Sequence, residues 1–246
     1  MIDLVAAEWL KLRTIRLLYA GIPAAVILSC AAVAGEIFSG HAVGPSGLAT
    51  SEGVRRVFAV TGAGAILIMV VGVVIAAGEY RHGTAGDTFL TTPRRERVVV
   101  AKLVVGAGVG LGGGLLIAGS AIAVARVAYA IKGVTFPMSS SDVWLTLLGA
   151  VVYSTLFAAL GVGLGAMVRN QTLAVAGSLA WFAAIEHTMV NLVPDLGRWF
   201  PAAAGQAIVR TPIDGLLSPL AGVALLVVYV AAAAVAGARL AATRDA

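Results

Sequence analysis

Long stretches free of charged side chains alternate along the chain with short charged ones. The charge-free intervals lie between Arg16 and Glu36, Arg56 and Glu79, Lys102 and Arg126, Asp142 and Arg169, Arg169 and Glu186, and Asp214 and Arg239. A bilayer core of about 30 Å needs roughly 20 apolar residues per helix. Five intervals are long enough to span unaided; the one after Arg169 spans only if it continues past Glu186 and His187 to Val193. The pattern predicts an all-α integral membrane protein, a single transmembrane domain over 1–246. Its six helices run over about 17–34, 57–78, 103–125, 143–168, 173–193 and 220–238.

Residues 1–16 place Ile2, Val5, Trp9, Leu12 and Ile15 at helical spacing, with Asp3, Glu8 and Lys11 off that stripe. This predicts an N-terminal amphipathic helix lying in the cytoplasmic interface, with Trp9 at headgroup depth. The same spacing also fits a cytoplasmic start to the first membrane helix. Residues 35–56 and 126–142 read as outer loops, and Ser141 or Asp142 is placed to cap the fourth span. Arg169, Asn170 and Gln171 form a very short connection, so spans four and five run antiparallel.

The stretch from Glu79 to Lys102 is a charged, turn-forming island between two apolar runs. It holds Arg81, Arg94, Arg95, Arg97 and Lys102, and a charge at the centre of a membrane helix costs about 3 kcal/mol. The island therefore lies outside the hydrocarbon. Gly83 and Gly86 loosen the backbone, Thr92 can cap a helix, and Pro93 suits the first helical turn. A helix is expected to start at Pro93 and run unbroken into the next span.

Span three contains GAGVGLGGG, residues 106–114. Gly108, Gly110 and Gly113 formally match a dinucleotide fingerprint, but no acidic residue follows at the required distance and the stretch sits in a membrane-length apolar segment. The pairs Gly106 with Gly110 and Gly110 with Gly114 instead predict close helix packing, within the subunit or across a dimer.

Span five carries Glu186 and His187, with Asn191 one turn on. A helix from Arg169 to Glu186 is roughly 25 Å long, which puts the pair near the outer edge of the hydrocarbon. Two readings stay open: a translocation-pathway or outer-gate site, or side chains reaching headgroups and water. Residues 194–219 hold Pro194, Pro201, Pro212 and Pro219, and predict short helices in the outer leaflet before the last span.

Composition sharpens this picture. The chain is 60% hydrophobic and 12% charged, outside the soluble globular range. Cys30 is its one cysteine, so an internal disulfide or thiolate cluster is excluded. The net charge of +5 follows membrane orientation rather than nucleic-acid binding. With both termini inside, Lys11, Arg13, Arg16, the five island residues, Arg169, Arg239 and Arg244 are cytoplasmic; Arg55, Arg56, Arg126, Lys132, Arg198 and Arg210 are outside. The first run is longer than a signal core, so it is expected to remain as a helix. No Walker A, H-E-x-x-H or G-x-S-x-G sequence occurs, which leaves no catalytic, metal or cofactor site to assign in this chain.

Four pieces together resemble ABC-2 type transporter permeases. The island carries E-x-x-x-G-T as Glu79, Gly83 and Thr84, and then Leu90, Pro93, Arg97 and Lys102 in the order of the permease pattern, with Pro93 and Arg97 spaced P-x-x-x-R where that pattern has P-x-x-R. Glu96 stands where the loosest pattern has a basic residue. The N-terminus has E-x-x-K-L-R (Glu8, Lys11, Leu12, Arg13), span four ends in G-x-x-x-R-N-Q (Gly165, Arg169, Asn170, Gln171), and Leu192, Pro194, Trp199 and Pro201 precede the last span.

The resemblance implies a membrane subunit of an ATP-driven bacterial exporter in the cytoplasmic membrane. A second permease copy or sister chain would complete the pathway, and a separate ABC ATPase would bind ATP and Mg. The implied ATPase-docking residues are Glu79, Tyr80, Arg81, Gly83, Thr84, Asp87, Pro93, Arg94, Arg95 and Arg97. The interfacial helix would contribute Glu8, Trp9, Lys11 and Arg13. The alternative is a non-ABC membrane protein, a secondary transporter or an assembly or sensor subunit; a secondary transporter would need an ionisable group near the midplane.

Overall fold

The computed structural model describes residues 1–12, 16–39, 47–82, 95–168 and 170–243, with the backbone alone for 80–82, 95, 187, 191, 194 and 241–243. Among these residues all regular structure is helical. The helices are α1 (Ile2–Leu12), α2 (Arg16–Phe38), α3 (Ser51–Ala59), α4 (Ala63–His82), α5 (Arg95–Ile131), α6 (Ser141–Met167), α7 (Gln171–Leu179), α8 (Glu186–Leu192), α9 (Pro194–Gly197), α10 (Pro201–Ile208) and α11 (Pro219–Thr243). A 3-10 turn, Val60–Gly62, joins α3 to α4, and a π turn, Ala180–Ile185, joins α7 to α8. Six helical segments are long and apolar enough to cross a membrane: Arg16–Phe38, Ser51–Glu79, Glu96–Ile131, Ser141–Met167, Gln171–Val190 and Pro219–Leu240. The chain is a multi-pass membrane protein.

The helices outrun their charge-free intervals. Span one continues through Glu36, span two begins six residues before Val57, and span three continues through Arg126. A charged residue ends the hydrocarbon segment but not the hydrogen-bonded helix, so the connections after span one and after span three are shorter than the charge pattern suggested. At the start of span four the cap is Ser140, whose side chain accepts from the Asp142 N–H at 3.3 Å. Asp142 is thereby left to pair with Arg210, 3.0 Å away.

Span four is the hub. It packs against spans two, three and six, and small residues on each face make the approach possible. A Cβ on Gly110 of span three would lie 2.6 Å from the Ser154 carbonyl oxygen, and one on Gly114 would lie 2.9 Å from the Val151 Cα. On the opposite faces of span four, Gly161 and Gly165 meet the backbone of span two at Met69 and Val73, and Gly163 meets Ala233 of span six. The glycines of span three thus pack within the subunit, through backbone proximity that a larger side chain would block. The start of span five rests on span two through Val73, Ala77 and Ala174.

At one end of the bundle Tyr129, Phe58 and Phe136 form edge-to-face contacts, and the Tyr129 hydroxyl donates to the Leu48 carbonyl at 2.9 Å. The opposite end gathers the end of span two, the start of span three and α1.

Candidate functional site

At that opposite end, four charged side chains from three separate elements form a closed ring. The Lys11 Nζ lies 2.6 Å from Glu8 Oε1 and 2.7 Å from Glu79 Oε1. The Lys102 Nζ lies 2.7 Å from Glu8 Oε2 and 2.8 Å from Glu79 Oε1. Each ammonium thus bridges two carboxylates and each carboxylate two ammoniums, so the ring is neutral. Glu8 and Lys102 are buried and Glu79 is largely so: their side chains are 3%, 6% and 12% exposed. Such charges persist away from water only when paired and hydrogen-bonded on both sides. Lys11 is half-exposed. Burial alone disfavours its ammonium, but the hydrogen bonds and charges of Glu79 and Glu8 outweigh this, and its pKa lies above the ordinary lysine value.

Local sequence places each member. Glu8 and Lys11 are three apart on α1 and share a face. Glu79 closes the apolar run of span two, and Lys102 sits two turns into α5, where the next apolar run begins. Opposite charges at two adjacent ends of the apolar region were a legible signal for this pair. What the periodicity of α1 did not show is its orientation. The face that meets the bundle carries Glu8 and Leu12, both buried, while Ile2, Leu10 and Trp9 keep much of their surface. The aromatic ring of Trp9 nevertheless lies beside α5, where a Cβ on Gly108 would come within 3.2 Å of it.

Of the remaining island residues, Tyr80 and Arg81 lie in the last turn of α4, and Arg95 and Arg97 in the first turn of α5, with Arg97 exposed. Gly83, Thr84, Asp87, Pro93, Arg94 and, near the N-terminus, Arg13 lie outside the described residues, as does Thr92. Glu79 faces the ring.

At the other end Glu186 is fully buried. Its carboxyl Oε1 accepts the backbone N–H of Ala202 and, at 3.3 Å, that of Ala203. The reading in which this side chain reaches headgroups or water does not describe it. His187 and Asn191 continue α8 by their backbone. Sequence reasoning missed the Asp142 to Arg210 pair, whose members are 68 positions apart. Among the described residues no group of three or more His, Cys, Asp or Glu side chains could hold a metal ion.

Comparison with known proteins adds no relative: no protein-family model and no curated protein matches the chain.

Proposed function

We propose that this chain is the membrane-spanning subunit of an ATP-driven exporter of the ABC-2 type, embedded in the bacterial cytoplasmic membrane with both termini inside. A second permease, copy or sister chain, completes the pathway, and a separate ATPase docks on the 79–102 segment and α1. One observation carries the reading. Glu8 and Lys11 belong to one piece of the resemblance and Glu79 and Lys102 to another, and the four meet in one ring at the base of the island.

The ring ties α1 to the ends of spans two and three. A push on the island then moves the three elements together, because separating any of them would strand a buried charge. ATP-driven closure of the ATPases biases the membrane helices between inward and outward access by its differential affinity for the two states. In this scheme Glu79 acts from within the ring, positioning the segment, while exposed arginines such as Arg97 meet the ATPase. α1 lies in the inner interface, with Ile2 and Leu10 toward lipid.

The test is co-purification of the full-length, tagged chain with the ATPase encoded beside it, measured together with ATP hydrolysis by the isolated complex. The parent is expected to bring the ATPase down, and an Arg94→Glu/Arg97→Glu variant to lose it while still inserting in the membrane. A neighbouring gene without a Walker A protein, or undiminished co-purification by the double variant, would refute the assignment.

A further inference from the structure

The contact made by Glu186 is a helix cap supplied from a distance. The first turn of α10 has orphan backbone N–H groups, as every helix does, and its own N-cap residue, Phe200, offers no side-chain acceptor. Pro201 at the first helical position has no N–H to satisfy. The N–H groups of Ala202 and Ala203 are instead taken by the carboxyl group of Glu186, on another helix and 16 and 17 residues earlier. Only Oε1 is used; Oε2 is buried without a hydrogen-bond partner.

Glu186 directly follows the π turn Ala180–Ile185. The same turn touches α10 and the hub by two further side chains. Trp181 meets Phe200 edge to face at 6.3 Å, and Phe182 meets Phe157 of span four at 5.2 Å. A π turn holds one more residue than an α turn would in its place, and such bulges concentrate at functional sites. Closing it to α geometry, or moving it past Glu186, turns that residue about the helix axis by one residue's worth, roughly 100°. On a helix of about 5–6 Å outer radius this sweeps the carboxyl group by about 8 Å, well beyond hydrogen-bonding distance.

We propose that the π turn and Glu186 form a two-state latch on α10. In the π register span five caps α10 and holds it against spans four and six; in the α register the cap is withdrawn and the first turn of α10 is loosened. The remaining ties on this segment come from other spans: Arg210 to Asp142 at the start of span four, and the Tyr229 hydroxyl of span six, which donates to the Trp199 carbonyl at 3.1 Å. The helix also packs its apolar side on spans four and six through Ala204 and Ile208, and among its polar ties the one from span five is the one that a register change alone can switch. The unpaired Oε2 fits this role, since a half-satisfied buried group holds less firmly than a fully bonded one. The inference stands on the fold and does not depend on the transport assignment.

The experiment uses the full-length chain in lipid nanodiscs with Cys30→Ala and a reporter, Ala203→Cys, at a position 1% exposed; the measurement is the rate of maleimide labelling. Glu186→Leu and a single-residue deletion of Ala183, which removes the extra residue of the π turn, are each expected to speed labelling at least tenfold. Glu186→Gln keeps an acceptor of the same shape and is expected to change the rate less than threefold. A control cysteine at Ile117, fully buried on span three in a cluster without any residue of α10, should stay protected throughout. An unchanged rate in Glu186→Leu overturns the latch, and an unchanged rate in the deletion overturns its control by the π turn. If the deletion also exposes the control, hydrogen exchange of the parent decides. Amides of residues 180–185 and of Ala202 and Ala203 opening at rates within tenfold of one another support a shared event, and a wider gap overturns it.

Discussion

Replacing Lys102 by methionine isolates what the ion ring contributes. The side chain is 6% exposed and touches two carboxylates, at 2.7 and 2.8 Å. At an effective dielectric constant of about 20, each contact has a gross Coulomb energy of about 6 kcal/mol, much of it offset by the cost of taking the charges out of water. What the substitution exposes is therefore not that gross sum. It is the penalty for taking from two largely buried carboxylates an ammonium that they share, about 3–5 kcal/mol when a buried pair loses one partner. For a chain of this size about 2–4 °C of midpoint accompanies each kcal/mol, so thermal unfolding in detergent micelles should shift down by about 6–20 °C. The decisive comparison is the double variant Glu8→Gln/Lys102→Met, which removes one carboxylate together with one ammonium. It should recover at least half of the loss. If Lys102→Met melts within about 2 °C of the parent, or if the double variant is no more stable than the single one, the ring is not an interdependent unit and the reasoning fails.

Two further outcomes follow from the same structure. Gly110→Ala puts a methyl group 2.6 Å from the Ser154 carbonyl oxygen, whereas Gly112→Ala, two residues on, meets nothing within 4 Å; the first should cost about 1–3 kcal/mol and the second should be neutral or slightly stabilising, as read from unfolding midpoints. The pKa of Lys11 is raised in the folded state above the ordinary value of 10.5, so its stabilisation is full below that pH and is lost as pH rises through the folded value. The gap in midpoint between parent and Lys11→Met should accordingly be constant from about pH 8 to 10 and narrow above about pH 10.5; a gap that widens there would contradict the sign.

What the residue order settled by itself is the number and approximate placement of the membrane helices. Hydrocarbon excludes charge wherever a segment ends up, so the intervals between Arg16 and Glu36 or Lys102 and Arg126 mark spans without any knowledge of neighbours. The glycine spacing of 106, 110 and 114 was equally legible, because it describes one face of one helix. Which backbone fills that face was not: only the packing shows that it is span four at Val151 and Ser154. The same limit governs the polar groups. Glu8 looked like a solvent-facing residue because periodicity reports the apolar stripe of α1 and cannot weigh a lysine 94 positions away that neutralises it. Glu186 could be recognised as an ionisable group in an apolar helix, but its partners are backbone N–H groups, which carry no sequence signature. Burial of a charge or a carboxyl group is decided by what lies opposite it in space, and that is a property of the assembled bundle rather than of any single segment.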